Sequence, residues 1–355
     1  MRISSNRSIR WVLAVLLAAT SLRGFLVHEI RPALRRLTDV GCHLFLPKMD
    51  IVDAGMDKIA MANAELQALR EEKQFPPVKS LLRCSREKMM DKPIALAGLL
   101  EREGCVSIPG VLSMPICDAL LDYVNAENAA AKADVTSGRV PFDDRFGGVN
   151  CRGLNGQFGN RQDQFLPSSS PEVQRGLREA LSALRPLLAE AVTDDGMIHE
   201  ISSFVADPGS PRQCVHCDTI VLPCPQFPSV SMEPIYTCFI ALQDVDDDMG
   251  HTQFLPRTHT AAVHEMWNSK GVQGNTPAFV AVHPAVQSNL KKGDVAIFDS
   301  RLLHCGMPNK STKRRVIFYF SVSKQQRWPL PGGLHGSNSI RPEDRYRYQV
   351  KDFLS

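Results

Sequence analysis

The sequence between positions 198 and 322 contains six short apolar runs, and no helical period can be followed through them. Proline, glycine and aspartate separate the runs, which is the pattern of short strands joined by turns in an antiparallel sandwich or barrel. We therefore expect a β core in this part of the chain. The predicted strands are Ile198–Ala206, Cys214–Leu222, Ile235–Val245, Thr252–Leu255, Asp294–Phe298 and Arg315–Val322.

Helical patterns precede the predicted β core. Ser170 offers an N-cap and Pro171 suits the first turn of a helix, after which apolar residues recur at helical spacing up to Leu188. A second amphipathic pattern covers Met56–Leu69 and ends at Phe75–Pro77. That helix would pack on the main domain or, alternatively, bind a partner. The predicted fold class is α+β, mainly β, with helices flanking the sheets.

Composition narrows the classes of function. The chain has 355 residues, of which 43% are hydrophobic and 22% charged, and this suits one large folded domain with extensions. Its formal charge of +3 is too small to indicate nucleic-acid binding, because arginines crowd the N-terminus and the remainder is near neutral. The ten cysteines show no spacing typical of a disulfide framework, so their redox state stays open.

The N-terminus resembles a targeting segment. A basic stretch leads into the apolar run Trp11–Thr20, and the first acidic residue is Glu29. This order predicts a secretory signal peptide or an organelle transit peptide over residues 1–30. A marginal signal anchor is the alternative, since the run is shorter than the ~20 residues that a membrane span needs. We expect a location in an organelle or the secretory pathway, otherwise the cytoplasm, with membrane association only through residues 1–30.

Three residues are candidate metal ligands. A period of two places His216 and Asp218 on one face of the predicted strand Cys214–Leu222. One imidazole and one carboxylate do not complete a site, and His304 supplies a third ligand just beyond the predicted strand Asp294–Phe298. Two histidines and one carboxylate form the facial triad of non-haem Fe(II) oxygenases, which leaves coordination positions open for a chelating co-substrate and O2.

Other side chains compete for a metal. Cys214 and Cys217 have a spacing that suits zinc, but no second pair follows and strand alternation would point them to opposite faces. Asp299 could replace Asp218, although it lacks a histidine at strand spacing. The aspartates within residues 244–248 would form either a calcium loop or a solvated turn.

A co-substrate such as 2-oxoglutarate needs a fixed cation for its remote carboxylate, and the planar fork of arginine suits this role. Arg314 and Arg315 stand at the start of an apolar strand. The face that begins with Arg314 continues with Val316, Phe318, Phe320 and Val322, and the face that begins with Arg315 continues with Ile317, Tyr319 and Ser321. The wholly apolar face should pack outward and the mixed face should line the interior, which selects Arg315 with Tyr319 as a possible neighbour.

These elements and their order resemble the phytanoyl-CoA dioxygenase (PhyH)-like family of Fe(II)/2-oxoglutarate-dependent oxygenases, over about Leu99–Lys324. The matching elements are the strand Gly104–Leu112, the motif His216-Cys217-Asp218, the segment Met249–His259 and the stretch Asp294–Arg315. Relatives often carry proline at Cys217, and glycine or proline at His251 and Arg257. These departures flank the ligands and bear on substrate preference more than on iron.

The resemblance implies a double-stranded β-helix core, also described as a jelly roll or cupin-like fold. It implies Fe(II) on His216, Asp218 and His304, with 2-oxoglutarate as co-substrate, O2 as oxidant, and Arg315 and Thr252 in contact with the co-substrate. It makes His251 and His259 structural residues of a turn. The implied domains are a helical N-terminal extension (31–95), a dioxygenase domain (96–326) and a C-terminal surface tail (327–355).

The expected function is that of a dioxygenase that hydroxylates an unidentified small-molecule or acyl-thioester substrate. The alternative is a non-catalytic domain of the same fold that binds a ligand or partner and keeps the triad structurally. A third interpretation makes the predicted helix Met56–Leu69 the functional part. Fold and triad do not select a substrate. The polar segment Pro141–Phe165 would form either a lid over the iron or a solvated loop.

Overall fold

The computed structural model describes residues 79–147, 158–221, 232–269, 279, 282–324 and 339–354, all within one compact unit. The predicted targeting segment 1–30 and the predicted helix Met56–Leu69 lie outside the described residues, so both stay predictions. Across the described ranges, no helix is long and apolar enough to span a membrane.

Five α-helices and ten strands build the described part of the chain. The helices are α1 (Arg86–Asp91), α2 (Pro93–Glu103), α3 (Met114–Thr136), α4 (Pro171–Ala191) and α5 (Ala261–Ser269). The strands are β1 (Lys79–Ser80), β2 (Cys105–Ile108), β3 (Arg161–Phe165), β4 (Met197–Ala206), β5 (Ile235–Ala241), β6 (Thr252–Phe254), β7 (Val286–Gln287), β8 (Val295–Asp299), β9 (His304–Gly306) and β10 (Arg315–Ser323). Short 3-10 helices cover Phe142–Asp144, Pro342–Asp344 and Val350–Phe353.

The strands form two sheets. The larger has the order β2-β8-β5-β10-β4-β3 and is antiparallel throughout, and the smaller has the order β1-β7-β6-β9 with a parallel pair at β1 and β7. The prediction of an α+β, mainly antiparallel fold with flanking helices is therefore confirmed. One predicted strand is wrong, because residues 214–221 form only a single β-bridge, between His216 and His304. The amides of Asp218 and Thr219 instead donate to the Ser300 carbonyl, which ends the pairing.

The alternation predicted for β10 is confirmed. The outward residues of this strand pack with helices α2, α3 and α4 in the main core; they are Val316, Phe318, Phe320 and Val322. Ile317, from the other face, belongs to a second cluster together with Phe254 and Phe298. In α4 the apolar residues expected from the helical spacing, from Val173 to Leu188, are buried. The helical layer thus covers one face of the larger sheet, and the other face is directed toward the smaller sheet.

The described C-terminal residues, 339–354, pack closely against the domain. Val350 and Phe353 belong to the main core. The buried Arg341 donates from Nε to the Phe165 carbonyl at 3.0 Å and from Nη2 to Glu127 at 2.5 Å. These residues therefore belong to the folded body, whereas the domain boundaries expected from the sequence stay predictions.

Replacing Phe318 with alanine is expected to lower the free energy of unfolding by about 3–5 kcal/mol, because the ring is fully buried between β10 and the helices. Chemical denaturation monitored by circular dichroism measures this change. Ile94→Ala is the control, since Ile94 is 72% exposed and its loss should cost no more than ~0.5 kcal/mol. Equal stability of the two variants would contradict the packing described for this layer.

Candidate metal centre

The structure brings His216, Asp218 and His304 together. His304 opens β9, and its backbone exchanges two hydrogen bonds with that of His216, at 2.8 and 2.9 Å. The Asp218 carboxylate lies 3.7 Å from His216 Nε2 and 3.6 Å from His304 Nε2. One potential ligand atom from each residue lies within 4.8 Å of the others. These are separations that a single small metal ion can bridge.

Backbone hydrogen bonds orient both imidazoles. His216 Nδ1 lies 2.8 Å from the Cys214 carbonyl, and His304 Nδ1 lies 2.9 Å from the Leu302 carbonyl. A carbonyl oxygen can only accept, so each Nδ1 carries a proton and Nε2 is the ring nitrogen that is directed toward Asp218. This arrangement is typical of metal-binding histidines, whose second nitrogen is fixed by an acceptor.

The three side chains differ in their access to solvent. The side chain of His304 is 5% exposed, whereas those of His216 and Asp218 are 32% and 25% exposed. The backbone of Asp218 is fixed by a hydrogen bond from its amide to the Ser300 carbonyl, at 2.8 Å. The Thr219 hydroxyl reinforces this contact through a 2.6 Å bond with the Ser300 hydroxyl. The site is thus rigid on its protein side and open on another, as a ligand set with vacant positions requires.

Arg315 begins β10 and is buried. Its Nη1 donates to the Gly250 carbonyl, and its Nε has no hydrogen-bond partner among the described residues. Desolvation, assisted by the nearby charge of Arg161, lowers the pKa of Arg315 to about 9. Gly250 has a φ of +76°, and a Cβ atom there would lie 2.6 Å from the Met307 carbonyl oxygen, so only glycine presents this acceptor to Arg315.

A small cavity, partly open to solvent, adjoins Arg315. Its polar wall is formed by Arg315, His251, Thr252 and Ser288, and Phe239 and Ile317 are among its apolar residues. Thr252, which the resemblance implies as a co-substrate contact, lines the same cavity, and its role stays a prediction. Tyr319, the neighbour expected for Arg315, shares the interior face but donates its hydroxyl to Asp163 at 2.6 Å. A buried cation with an unused donor in a small mixed cavity suits a carboxylate ligand.

Arg161 is a second buried arginine that the sequence analysis placed in a lid or solvated loop. It begins β3 and pairs with Ala206 of β4, which also pairs with Arg315 on its other side. Directly opposed residues point to the same face of a sheet, so the two arginines flank a small alanine on the interior face. Strand β3, with the sequence Arg-Gln-Asp-Gln-Phe, has too few apolar residues to be predicted from periodicity, although every one of its residues is buried.

The competing ligands are engaged elsewhere. Asp299 forms a bidentate ion pair with Arg301, at 2.9 and 2.5 Å. Desolvation raises the pKa of the Cys217 thiol to about 12, which disfavours the thiolate that zinc needs. His259 Nε2 lies 2.8 Å from the Glu101 carbonyl, which suits the structural role implied for it. Asp244, from the predicted acidic turn, accepts from Lys291 at 3.0 Å.

The fold and the site define an antiparallel α+β protein with a two-histidine, one-carboxylate group suited to a metal, and with a buried arginine that lines a cavity. The sequence model of the family described as phytanoyl-CoA dioxygenase (PhyH) matches residues 100–317, which is more than half of the chain. The chain belongs to this family. The cofactors expected from the sequence, Fe(II), 2-oxoglutarate and O2, are those of the family.

Individual relatives are distant. An uncharacterized protein of Saccharomyces cerevisiae is 23% identical over 148 residues, which make up 42% of this chain and only 39% of that protein. Among solved structures, AviO1 from Streptomyces viridochromogenes Tue57 shares 18% identity, with a TM-score of 0.45 over 68% of this chain and 98% of its own. The non-heme, alpha ketoglutarate dependent epimerase SnoN from nogalamycin biosynthesis shares 16% identity, with a TM-score of 0.46 over 70% and 94%. Such low scores describe a loose likeness, and the family assignment depends on the family match alone.

Proposed function

We propose that the chain is an Fe(II)- and 2-oxoglutarate-dependent dioxygenase with a double-stranded β-helix core, which hydroxylates a small-molecule or acyl-thioester substrate. The observation that carries this proposal is the convergence of His216, Asp218 and His304 at metal-ligand separations in a chain that belongs to a dioxygenase family. The donor set fits Fe(II), because two neutral imidazoles and one carboxylate on one side leave the other positions open. When bound, Fe(II) would couple the reduction of O2 to oxidative decarboxylation of 2-oxoglutarate and oxidation of the substrate.

The chain's own residues would prepare this chemistry. Arg315 would anchor the remote carboxylate of 2-oxoglutarate through its unused Nε donor, in surroundings where a charged hydrogen bond is strong. Thr252 and Ser288 belong to the same wall, and the apolar Phe239 and Ile317 would limit access of water to it. The Nδ1 bonds of both histidines would keep their Nε2 atoms directed at the metal without reorganisation.

Metal removal tests the proposal directly. Protein reconstituted with Fe(II) is expected to convert 2-oxoglutarate to succinate and to consume O2, slowly without a substrate and faster when a screened substrate is present. Treatment with a chelator should reduce succinate formation to background, and added Fe(II) should restore it, whereas Zn(II) should not, because it has no redox chemistry.

Mass spectrometry of succinate together with an oxygen electrode provides the measurement. A folded protein that binds no Fe(II), or one whose succinate formation survives chelation, would refute the proposal in favour of the non-catalytic alternative. Because fold and triad do not select a substrate, the screen should include acyl thioesters as well as small polar metabolites.

A further inference from the structure

Arg161 connects the two chain segments that carry the candidate histidine ligands. Its Nη2 donates one hydrogen bond to the Pro211 carbonyl at 3.0 Å and another to the Met307 carbonyl at 2.8 Å. Pro211 lies shortly before His216 in the chain, and Met307 lies shortly after His304. One buried guanidinium therefore spans both segments.

Separate hydrogen bonds, rather than a continuous ladder, also join these segments. Because residues 214–221 do not form a strand, no continuous ladder joins them to β9. Backbone bonds are exchanged by His216 and His304, and the Gln213 amide donates to the Gly306 carbonyl at 2.9 Å. Further backbone bonds join Asn309 to Gly209 and Ser210, and the Ser300 carbonyl to the amides of Asp218 and Thr219. The Gln213 side chain adds an acceptor for the Gly306 amide at 2.8 Å. Side-chain bonds thus add to a set of separate backbone bonds between the segments.

Gly306 makes room for Arg161. A Cβ atom at this position would lie 2.7 Å from Arg161 Nη1 and 2.5 Å from Gln213 Oε1. Either contact is too short, so any side chain at 306 would displace the guanidinium or the amide. The absence of a side chain in β9 thus permits the close approach of Arg161 to the strand that carries His304.

We propose that Arg161 is a positioning residue, which clamps the His216 and His304 segments at the separation that the metal requires. The inference rests on the proposed function, in which these two histidines hold iron. Arginine suits the task because the two hydrogens of one nitrogen lie in a fixed plane and can reach two carbonyls at once. The pairing of β3 with β4 fixes the backbone from which the side chain extends, and Arg161 is itself 3% exposed.

Titration of the metal-free protein with Co(II), followed by its visible absorption bands, tests the clamp without requiring turnover. Arg161→Met should weaken Co(II) binding roughly 10- to 100-fold, the range typical when a partner that orients metal ligands is lost. Gly306→Ala is a second variant that keeps the charge of Arg161 but displaces its guanidinium. We expect it to weaken Co(II) binding in the same direction, and it serves as the test if Arg161→Met does not fold.

Arg341→Met is the matched control. Arg341 is equally buried and also donates to a backbone carbonyl, but its partners Phe165 and Glu127 do not belong to the segments that carry the ligands. It should lower the midpoint of thermal unfolding to a similar extent, yet leave Co(II) affinity at the wild-type value.

Wild-type Co(II) affinity in both Arg161→Met and Gly306→Ala would overturn the clamp while leaving the proposed function intact. An effect confined to 2-oxoglutarate affinity would also overturn it, since Arg161 would then act on the co-substrate. A wild-type protein that binds neither Co(II) nor Fe(II) would instead refute the proposed function, and the clamp with it.

Discussion

Replacement of Asp218 with alanine is expected to abolish metal binding and 2-oxoglutarate turnover together. Asp218 is the sole anion of the described ligand group, and its carboxylate lies 3.7 and 3.6 Å from the two Nε2 atoms. Without it, two neutral imidazoles would have to hold a divalent cation. Affinity should therefore fall by more than the roughly 10- to 100-fold typical of losing an outer partner. Calorimetric titration with Fe(II) under anaerobic conditions, paired with a succinate assay, measures both effects.

Asp246→Ala provides the control for this prediction, because Asp246 is an exposed aspartate of the 244–248 turn and lies outside the ligand group. It should bind iron and form succinate as the wild type does. The Asp218 side chain is partly exposed and points toward the histidines rather than into a core, so its loss should leave the circular dichroism spectrum unchanged. Retention of iron and turnover by Asp218→Ala would show that the three residues do not form the metal centre.

The sequence predicted those parts of the fold in which polar and apolar side chains contrast. In β10 the alternation of Val316, Phe318 and Phe320 with Ile317 and Tyr319 identified both the strand and the face that meets the helices. The same contrast selected Arg315 over Arg314, and the structure buries the former beside the cavity. Helix α4 was also predicted from the sequence, because its leucines recur at the helical period along one side.

The sequence did not predict the segments whose structure depends on contacts with residues remote in the chain rather than on a local pattern of polar and apolar residues. The alternation around His216 predicts a strand, yet its backbone hydrogen bonds go to Ser300 and His304, which are remote in sequence. These contacts form a single β-bridge, between His216 and His304, rather than a ladder. Strand β3 is polar except for Phe165 and lies at the edge of the larger sheet, where Asp163, for example, accepts a hydrogen bond from Tyr319. No period in a single sequence marks a buried polar strand, and so Arg161 was missed.

Replacement of Arg315 with leucine is expected to raise the KM for 2-oxoglutarate on the order of 10²- to 10³-fold while iron affinity is retained. Truncating one side of a buried, charged hydrogen-bonded pair costs about 2–5 kcal/mol of binding free energy. Arg315 is 3% exposed, lines the cavity and has no partner for its Nε donor among the described residues, so the lost interaction would be of this buried kind. Steady-state kinetics of succinate formation against 2-oxoglutarate concentration measures the change. The retained iron affinity separates this variant from Asp218→Ala.

Arg314→Leu is the matched control, since Arg314 is adjacent but contacts Asp207 at 2.6 Å and Asn125 at 3.0 Å on the other face of the strand. Its KM should stay near the wild-type value. An unchanged KM in Arg315→Leu, or an equal rise in both variants, would remove Arg315 from the co-substrate site.

Ligand-induced stabilisation gives an independent measure of the same contact. Burial disfavours the charged form of Arg315, whose pKa falls to about 9, so the unfolded chain binds the proton more tightly than the folded one. Below about pH 9, burial of the charged Arg315 therefore lowers the free energy of unfolding when no anion is bound. This loss of stability shrinks as the pH rises above 9 and disappears above the pKa of the unfolded state. A bound carboxylate favours the charged form and offsets the loss. Accordingly, 2-oxoglutarate added at neutral pH with Co(II) in place of iron should raise the thermal midpoint of the wild type and of Arg314→Leu, but not that of Arg315→Leu.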